Sequence, residues 1–218
     1  MNTSRPVTFE VLVQMAAEEG PERRIIAIAG APGSGKSTLA ERLVAQLDAT
    51  GPGSAAVLPM DGYHLDDAVL IARGLRARKG APETFDVAGF GHMLERLRRN
   101  QEDEIAVPVF DRALEIARAG GRMIPRTVRT LVVEGNYLLL DRAPWSALRV
   151  HFDHTVMVSV PEAELRRRLT ERWLGYGMTG AALEAKLEEN DLPNGRLIVK
   201  GSIAPDFILT QDGINVGG

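Results

Sequence analysis

Three glycines, a lysine and three hydroxyl-bearing residues stand close together in the first quarter of the chain. Residues 30–38 read GAPGSGKST and match the pattern G-x-x-x-x-G-K-[ST]. Glycines let a backbone curl until its N–H groups point inward and surround an anion. The lysine of such a loop reaches the β- and γ-phosphates of a nucleotide, and the hydroxyl after it binds Mg²⁺. We therefore predict a phosphate-binding loop made of Gly30, Ala31, Pro32, Gly33, Ser34, Gly35, Lys36, Ser37 and Thr38.

The segments on both sides of this loop have the character that phosphate binding requires. RRIIAIAG (23–30) is a short apolar run ending in glycine, which predicts a buried strand, and KSTLAERLVAQL (36–47) has helical spacing. The positive end of that helix dipole would point at the anion. A dinucleotide-binding loop of the Rossmann type is excluded, because Gly33-x-Gly35 is followed by Thr38-Leu39 and not by a further glycine.

Two carboxylates end predicted strands further along the chain. SAAVLPMDGYH predicts a strand ending near Asp61, and RTLVVEGNYLLL predicts one ending near Glu134. The carboxyl ends of parallel strands meet at one edge of a sheet, so both side chains should lie beside the phosphate loop. Asp61 is placed to orient an acceptor hydroxyl and take its proton, and Glu134 to hold Mg²⁺ through water, together with Ser37.

A predicted helix after the fourth strand carries a cluster of arginines. EAELRRRLTERWLGYG contains Arg166, Arg167, Arg168 and Arg172, and the last two are four residues apart on one face. Because a guanidinium bonds two phosphate oxygens at once, we expect Arg168 to act in catalysis and Arg172 to bind the nucleotide. The glycine-rich GYGMTG beyond them indicates that 162–180 closes as a lid.

Strands rich in Val, Ile and Leu alternate with helices, which predicts a parallel sheet covered on both faces. We predict an α/β fold: a P-loop NTPase three-layer α/β/α sandwich with a mainly parallel five-stranded sheet. A single domain would span 1–218, with an N-terminal helix in 1–21. Two stretches, 64–90 and 105–127, fit the pattern poorly and are predicted to be excursions over the active edge.

Composition narrows the class of protein. The chain has 218 residues and a net charge of −3, and this negative charge argues against nucleic-acid binding. It has no cysteine, which fits a reducing compartment. The N-terminus has no signal-peptide core and no apolar run could span a membrane, so a cytoplasmic protein without membrane insertion is expected. His92, His151 and His154 do not have metal-ligand spacing.

The phosphate loop could serve a switch, a motor or a kinase. No Asn-Lys pair is present to read guanine, and the LSGGQ-like signature of transport ATPases is absent. A kinase needs a carboxylate for the acceptor hydroxyl and positive charge over the transferred group, and Asp61 with the arginines meets both needs. The opposing hypothesis is a non-catalytic ATP-binding regulator of a partner such as a transport system.

These motifs together resemble the P-loop kinases grouped with uridine kinase, phosphoribulokinase and bacterial pantothenate kinase. GAPGSGKST, MDGYH, RKGAPETFD, VPVFDR and LVVEGNYLLL fall in the family's order over residues 22–213. The resemblance implies Asp61 as catalytic base, Val132 to Gly135 as the Walker-B-like strand, and Gln211, Asp212 and Gly213 near adenine. Family relatives include dimers, so a homodimer is one expectation.

A subgroup resemblance bears on the acceptor. RWLGYGMT, ENDLPNGRLI and APDFIL are similar to bacterial proteins described as fructokinases or fructose-transport-associated kinases. We therefore predict an ATP- and Mg²⁺-dependent kinase that phosphorylates a hydroxyl of a small metabolite, with a sugar as first candidate. A nucleoside such as uridine, or pantothenate, is the alternative acceptor.

Candidate acceptor-binding residues come from the two excursions and the end of the second strand. A sugar would use carboxylates and histidine for its hydroxyls and an aromatic ring for its apolar face. Phe85 and Phe110 fit a core equally well, and His64 fits a partner of Asp66 or Asp67. Trp145 and Trp173 are predicted to be packing residues, and no role follows for 190–195. The candidates are Asp61, Tyr63, His64, Lys79, Glu83, Phe85, Asp86, Phe110 and Arg112.

Overall fold

A six-stranded parallel sheet forms the centre of the computed structural model, which describes residues 4–18, 20 and 22–210. Eight strands occur in chain order, and six of them form this sheet in the order β1-β8-β7-β2-β6-β3. The remaining two, β4 and β5, pair only with each other. The strands are β1 (Arg5–Pro6), β2 (Arg24–Gly30), β3 (Ala55–Pro59), β4 (Glu104–Asp111), β5 (Ile116–Pro125), β6 (Thr130–Gly135), β7 (His154–Ser159) and β8 (Phe207–Thr210).

Helices cover the main sheet. They are α1 (Phe9–Ala17), α2 (Lys36–Thr50), α3 (Asp67–Ala72), α4 (Val87–Arg99), α5 (Glu162–Gly175), α6 (Gly180–Ala185) and α7 (Leu192–Gly201). Short 3₁₀ segments lie at Met60–Tyr63, Arg76–Arg78, Pro82–Thr84 and Trp145–His151, and a π-helical turn, Lys186–Asp191, joins α6 to α7. Across the described residues, no helix has both the length and the apolar character needed to cross a membrane.

Alternate residues of the central strand β2 face two different hydrophobic clusters. Ile26 and Ile28 pack on one face with residues of α1 and α2, whereas Ile25 and Ala27 pack on the other face with residues of α4. All four are fully buried. The central strand is therefore enclosed on both sides, as an apolar run without alternation predicts, and the three-layer α/β arrangement is confirmed.

The expectation of five strands is wrong, because a sixth strand adds to the edge of the sheet. β1 is only two residues long and pairs in parallel with Phe207 and Ile208 of β8. The N–H of Arg5 donates to Asp206 O (3.0 Å) and the N–H of Val7 to Ile208 O (2.9 Å). A two-residue strand that contains proline has no sequence signature, since its pairing depends on where the edge of β8 lies.

The stretch 105–127 is more regular than the sequence indicated. It forms the antiparallel hairpin β4–β5, with an irregularity between Val107 and Val109. The hairpin packs on the 3₁₀ turn 60–63, where a Cβ added to Gly62 would lie 2.5 Å from the Pro108 carbonyl oxygen. Only glycine permits this close approach. The stretch 64–90 contains α3, two 3₁₀ turns and the first residues of α4.

One buried arginine ties the base of the sheet to α4 and the hairpin. Arg23 is 1% exposed. Its Nε donates to Val128 O (2.8 Å), Nη1 to Leu97 O (2.9 Å), and Nη2 to Pro125 O (2.9 Å) and to the Oδ1 of Asn100 (2.6 Å). The guanidinium thus satisfies three backbone carbonyls from separate parts of the chain.

We expect Arg23→Met to lower the free energy of unfolding by about 3 kcal/mol, because each buried carbonyl left unpaired costs about 1–3 kcal/mol and relaxation recovers part. Urea denaturation followed by circular dichroism measures this. The control is Arg99→Met, which removes an exposed pair with Glu95 and should change stability by less than about 0.5 kcal/mol. Equal midpoints for the two variants would contradict the structural role of Arg23.

Candidate active site

The phosphate loop joins β2 to α2 in a shape that depends on glycine. Gly33 has φ of 79° and Gly35 has φ of 88°, both in the left-handed region that L side chains rarely adopt. Gly35 is the residue immediately before α2, so its neighbours Lys36 and Ser37 form the first turn of that helix. The loop therefore presents backbone N–H groups and the positive helix end at one point.

Ser37 and Glu134 meet at the edge of the sheet. Strand β6 pairs with β2, and in this pairing Glu134 lies beside Ile28. The hydroxyl of Ser37 donates a hydrogen bond to Oε2 of Glu134 (3.1 Å). Glu134 is buried, which raises the pKa of its carboxyl, while the charge of Lys36 opposes that rise. Desolvation lowers the pKa of Lys36, and the negative charges of Glu134 and Asp61 oppose this lowering.

The Ser37–Glu134 pair fits a partial site for Mg²⁺. A hydroxyl and a carboxylate are oxygen donors of the kind that Mg²⁺ prefers, and the ion usually completes its shell with phosphates and water. No cluster of three or more His, Asp or Glu side chains suited to a metal occurs in the described part of the chain. A metal at this place would therefore depend on the nucleotide for further ligands.

Asp61 follows β3 in the 3₁₀ turn 60–63 and lies opposite the hairpin. Its Oδ2 accepts a hydrogen bond from Nη2 of Arg112 (2.7 Å), and its backbone oxygen lies 2.8 Å from Nδ1 of His64. The Asp61 side chain is only 25% exposed, whereas that of Arg112 is 60% exposed. The arginine is therefore free to turn outward while the carboxylate stays in place.

A cavity of about 410 Å³ connects these groups. It lies between the phosphate loop, the turn that carries Asp61, the hairpin, α5 and the segment that follows α5. Ten of the residues predicted from sequence line it: Pro32, Lys36, Ser37, Asp61, His64, Lys79, Phe85, Phe110, Arg112 and Arg172. Phosphate-binding and acceptor-binding candidates thus line one and the same cavity.

His64 lines the cavity, and of its two alternatives the pairing with Asp66 or Asp67 does not occur. Its ring lies between Phe85 (4.1 Å between centroids) and Phe110 (4.6 Å). The expected pairing with Asp66 or Asp67 is replaced by the contact with the Asp61 backbone oxygen, because Asp66 caps α3 and Asp67 binds Lys79. Burial lowers the pKa of His64, so the ring is neutral at pH 7.

Three acceptor candidates have other surroundings and do not line the cavity. Tyr63 is buried with its ring 4.5 Å from that of Phe90. Glu83 pairs with Arg78 at the surface (2.6 Å). Asp86 caps α4, with its Oδ1 accepting from the N–H of Gly89 (2.9 Å). Gln211, Asp212 and Gly213 lie outside the described residues.

The arginines of α5 divide into two sets. Arg166 and Arg167 form surface pairs with glutamates. Arg168 donates to Glu164 (2.7 Å), and its Nη1 lies 3.4 Å from the carbonyl oxygens of Gly33 and Ser34, against the phosphate loop. Arg172 lines the cavity and has no carboxylate within salt-bridge distance among the described residues. Arg168 therefore lies against the phosphate loop, and Arg172 lies in the cavity beside it.

The sequence analysis did not predict several of the residues that line the cavity. Trp173, expected to be a packing residue, lines the cavity and donates from Nε1 to Oδ2 of Asp191 (2.6 Å). Asn136, Lys186, Asn190 and Asn194 also line it. The available signal was the run ENDLPNG, whose amides lie in and beside a π-helical turn, a feature common at functional sites.

Known proteins resemble this chain over nearly its whole length. The uncharacterised Escherichia coli (strain K12) protein YggC is 35% identical over 216 residues, covering 97% of this chain and 88% of YggC. A Schizosaccharomyces pombe protein named "Putative uridine kinase C227.14" is 32% identical over 213 residues, covering 94% of this chain and 91% of that protein. No family model matches.

A solved structure is also similar. It is the "putative fructose transport system kinase" of Silicibacter sp. TM1040, with 42% identity and a TM-score of 0.85, covering 93% of this chain and 98% of that one. Fold, phosphate loop and these relatives together define an ATP-dependent kinase. The chain belongs to the P-loop kinase family related to uridine kinase and pantothenate kinase.

Proposed function

We propose that the protein transfers the γ-phosphoryl group of ATP to a hydroxyl of a small sugar-like metabolite, with Mg²⁺. The observation that carries the proposal is the shared cavity, which is lined by Asp61 and Lys36 together with His64 and two phenylalanines. A carboxylate opposite a phosphate-binding lysine is the arrangement that in-line transfer to a hydroxyl requires.

The phosphate side of the cavity would bind and neutralise the triphosphate. The N–H groups of the loop and the ammonium of Lys36 hold the β- and γ-phosphates. Ser37 and Glu134 would hold Mg²⁺, which supplies further neutralisation of phosphate charge when bound. Arg168 and Arg172 stabilise negative charge on the transferred group.

Asp61 supplies the acid–base chemistry. Its carboxylate accepts the hydrogen bond of the acceptor hydroxyl, aligns the oxygen with the γ-phosphorus and takes the proton as the bond to phosphorus forms. The guanidinium of Arg112 holds the carboxylate in place through a 2.7 Å hydrogen bond until the acceptor arrives.

The aromatic wall supports a sugar as acceptor. Phe85 and Phe110 offer an apolar surface beside neutral His64, and this combination suits a ring or chain with hydroxyls on one side. The Silicibacter protein's name refers to fructose transport, which makes fructose the first compound to test.

The test is acceptor-dependent ADP formation with ATP and Mg²⁺. The acceptors are fructose, other hexoses and pentoses, uridine, cytidine, pantothenate and ribulose 5-phosphate, with Lys36→Ala as the inactive control. One acceptor that raises the rate far above background, with the control silent, supports the proposal. Tight ATP binding without response to any acceptor would overturn it and favour an ATP-binding regulator.

A further inference from the structure

The tip of the β4–β5 hairpin, residues 112–115, is bonded to Asp61. Nη2 of Arg112 donates to Oδ2 of Asp61 (2.7 Å), and Phe110, two residues before Arg112, lines the same cavity. All four residues of the tip are exposed, so the burial of apolar surface does little to hold it. The position of the tip decides where this guanidinium and this ring lie, and polar contacts must fix it.

Lys79 supplies such a contact and ties the tip to α3. Its Nζ donates to the backbone oxygen of Glu115 and to Oδ1 of Asp67 (2.7 Å), the first residue of α3. The Lys79 side chain is only 10% exposed, and Nζ lies 5.4 Å from the centre of the Phe110 ring. Glu115 has φ of 57°, a conformation that a residue other than glycine keeps where surrounding contacts hold it.

The segment that carries Lys79 is itself anchored. The carbonyl oxygen of Lys79 accepts from Nδ2 of Asn190 (3.4 Å), and that of Gly80 accepts from the hydroxyl of Tyr137 (2.7 Å). Tyr137 is fully buried and follows Glu134 by three residues. The ammonium therefore reaches the hairpin tip from a segment that two other parts of the chain hold in place.

We propose that Lys79 is a positioning residue, which joins Asp67 to the backbone of Glu115 and thereby fixes the hairpin tip so that Arg112 and Phe110 keep their places in the cavity. This inference rests on the proposed function. It differs from direct binding of the acceptor by Lys79, the role predicted from the sequence, because two donors of the ammonium already bond to the protein. The acceptor depends on Lys79 only through the tip.

Replacing Lys79 with methionine keeps most of the apolar stem and removes both hydrogen bonds. We expect KM for the acceptor to rise about 10-fold, with kcat within about 3-fold and KM for ATP within about 2-fold of wild type, because only the acceptor meets the displaced tip. The matched control is Arg76→Met, which removes the other, half-exposed partner of Asp67 (2.7 Å) and should leave all three values within about 2-fold. Equal effects of the two variants would contradict the proposal.

Asp67→Ala separates positioning from direct binding, because it frees the ammonium of Lys79 without removing its charge. If Lys79 positions the tip, KM for the acceptor should rise about 3-fold, and the double variant should be no worse than Lys79→Met alone, since both changes act on one chain of contacts. If Lys79 bound the acceptor itself, the freed ammonium would bind it more tightly. A lower KM, or additive losses in the double variant, would overturn the proposal. Comparison of Asp67→Ala with Arg76→Met decides the question even if Lys79→Met does not fold.

Hydrogen exchange of the protein without ligands tests the tie independently of catalysis. The amides of residues 110–117, which include the paired ends of β4 and β5, should exchange at least about 5-fold faster in Lys79→Met and at the wild-type rate in Arg76→Met. Unchanged exchange in Lys79→Met would overturn the inference, whether or not an acceptor is found. If ATP binds and no acceptor raises ADP formation, the proposed function fails and the positioning of an acceptor fails with it, although faster exchange would still show that Lys79 holds the tip.

Discussion

Replacing Asp61 with asparagine is expected to lower kcat by about 1,000-fold or more and to leave ATP affinity within about 2-fold of wild type. The amide has the size of the carboxylate and can still face Arg112, but it cannot take the acceptor proton. The loss should therefore fall on the chemical step. Steady-state kinetics with the responding acceptor, together with calorimetric titration of ATP, measure the two effects separately.

The matched control for this variant is Asp86→Asn. Asp86 was also an acceptor candidate on sequence grounds, but in the structure it caps α4 through the N–H of Gly89. Asparagine caps helices as well as aspartate does, so kcat should stay within about 3-fold. Turnover by Asp61→Asn within tenfold of wild type would remove Asp61 from the role of base.

Replacing Lys36 with alanine is expected to reduce kcat/KM by about 10,000-fold, because the side chain acts on both the bound phosphates and the charge that develops during transfer. Its charge also acts on Glu134 and Asp61, so its loss removes a positive charge from beside the buried carboxyl of Glu134. ATP affinity should fall with turnover. Single-turnover kinetics and ATP titration measure both losses.

Lys200→Ala is the control, since Lys200 is exposed near the end of α7 and lies outside the active-site cavity. Its kinetics should equal those of wild type. If Lys36→Ala retained a tenth of the wild-type kcat/KM, the assignment of the loop to catalysis would be untenable, whereas equal thermal unfolding of both variants would exclude misfolding as the cause of a loss.

The parts of the fold that local sequence determines were predicted. The loop at 30–38 was visible because glycine spacing and the flanking strand and helix are properties of one short segment. Asp61 and Glu134 were found because parallel strand ends share an edge, whatever the strand order. The two-residue strand β1 could not be found, since its partner Phe207 is about two hundred residues away.

Which residues line the cavity beside Asp61 could not be predicted in full, because tertiary contacts that no local pattern reveals bring them together. Tyr63 and His64 are neighbours in sequence, yet one packs on Phe90 and the other lines the cavity. Trp173 near the end of α5 and Asn190 in the π-helical turn both line the cavity, although they are far in sequence from the phosphate loop. Asn136 stands beside a recognised motif, but only the buried, unpartnered oxygen distinguishes it from a solvated loop residue.

The hairpin β4–β5 forms a two-stranded sheet of its own, apart from the main sheet that carries the phosphate loop. Changes in the hairpin during evolution can therefore occur without changes in the phosphate loop. Its backbone hydrogen bonds are internal, and it supplies Phe110 and Arg112 to the cavity without contributing a strand to the main sheet. If the proposed function holds, we expect substitutions in the hairpin to alter which compound is accepted and to leave the phosphate loop unchanged. We expect that grafting the hairpin from one relative into another would transfer the acceptor preference with it.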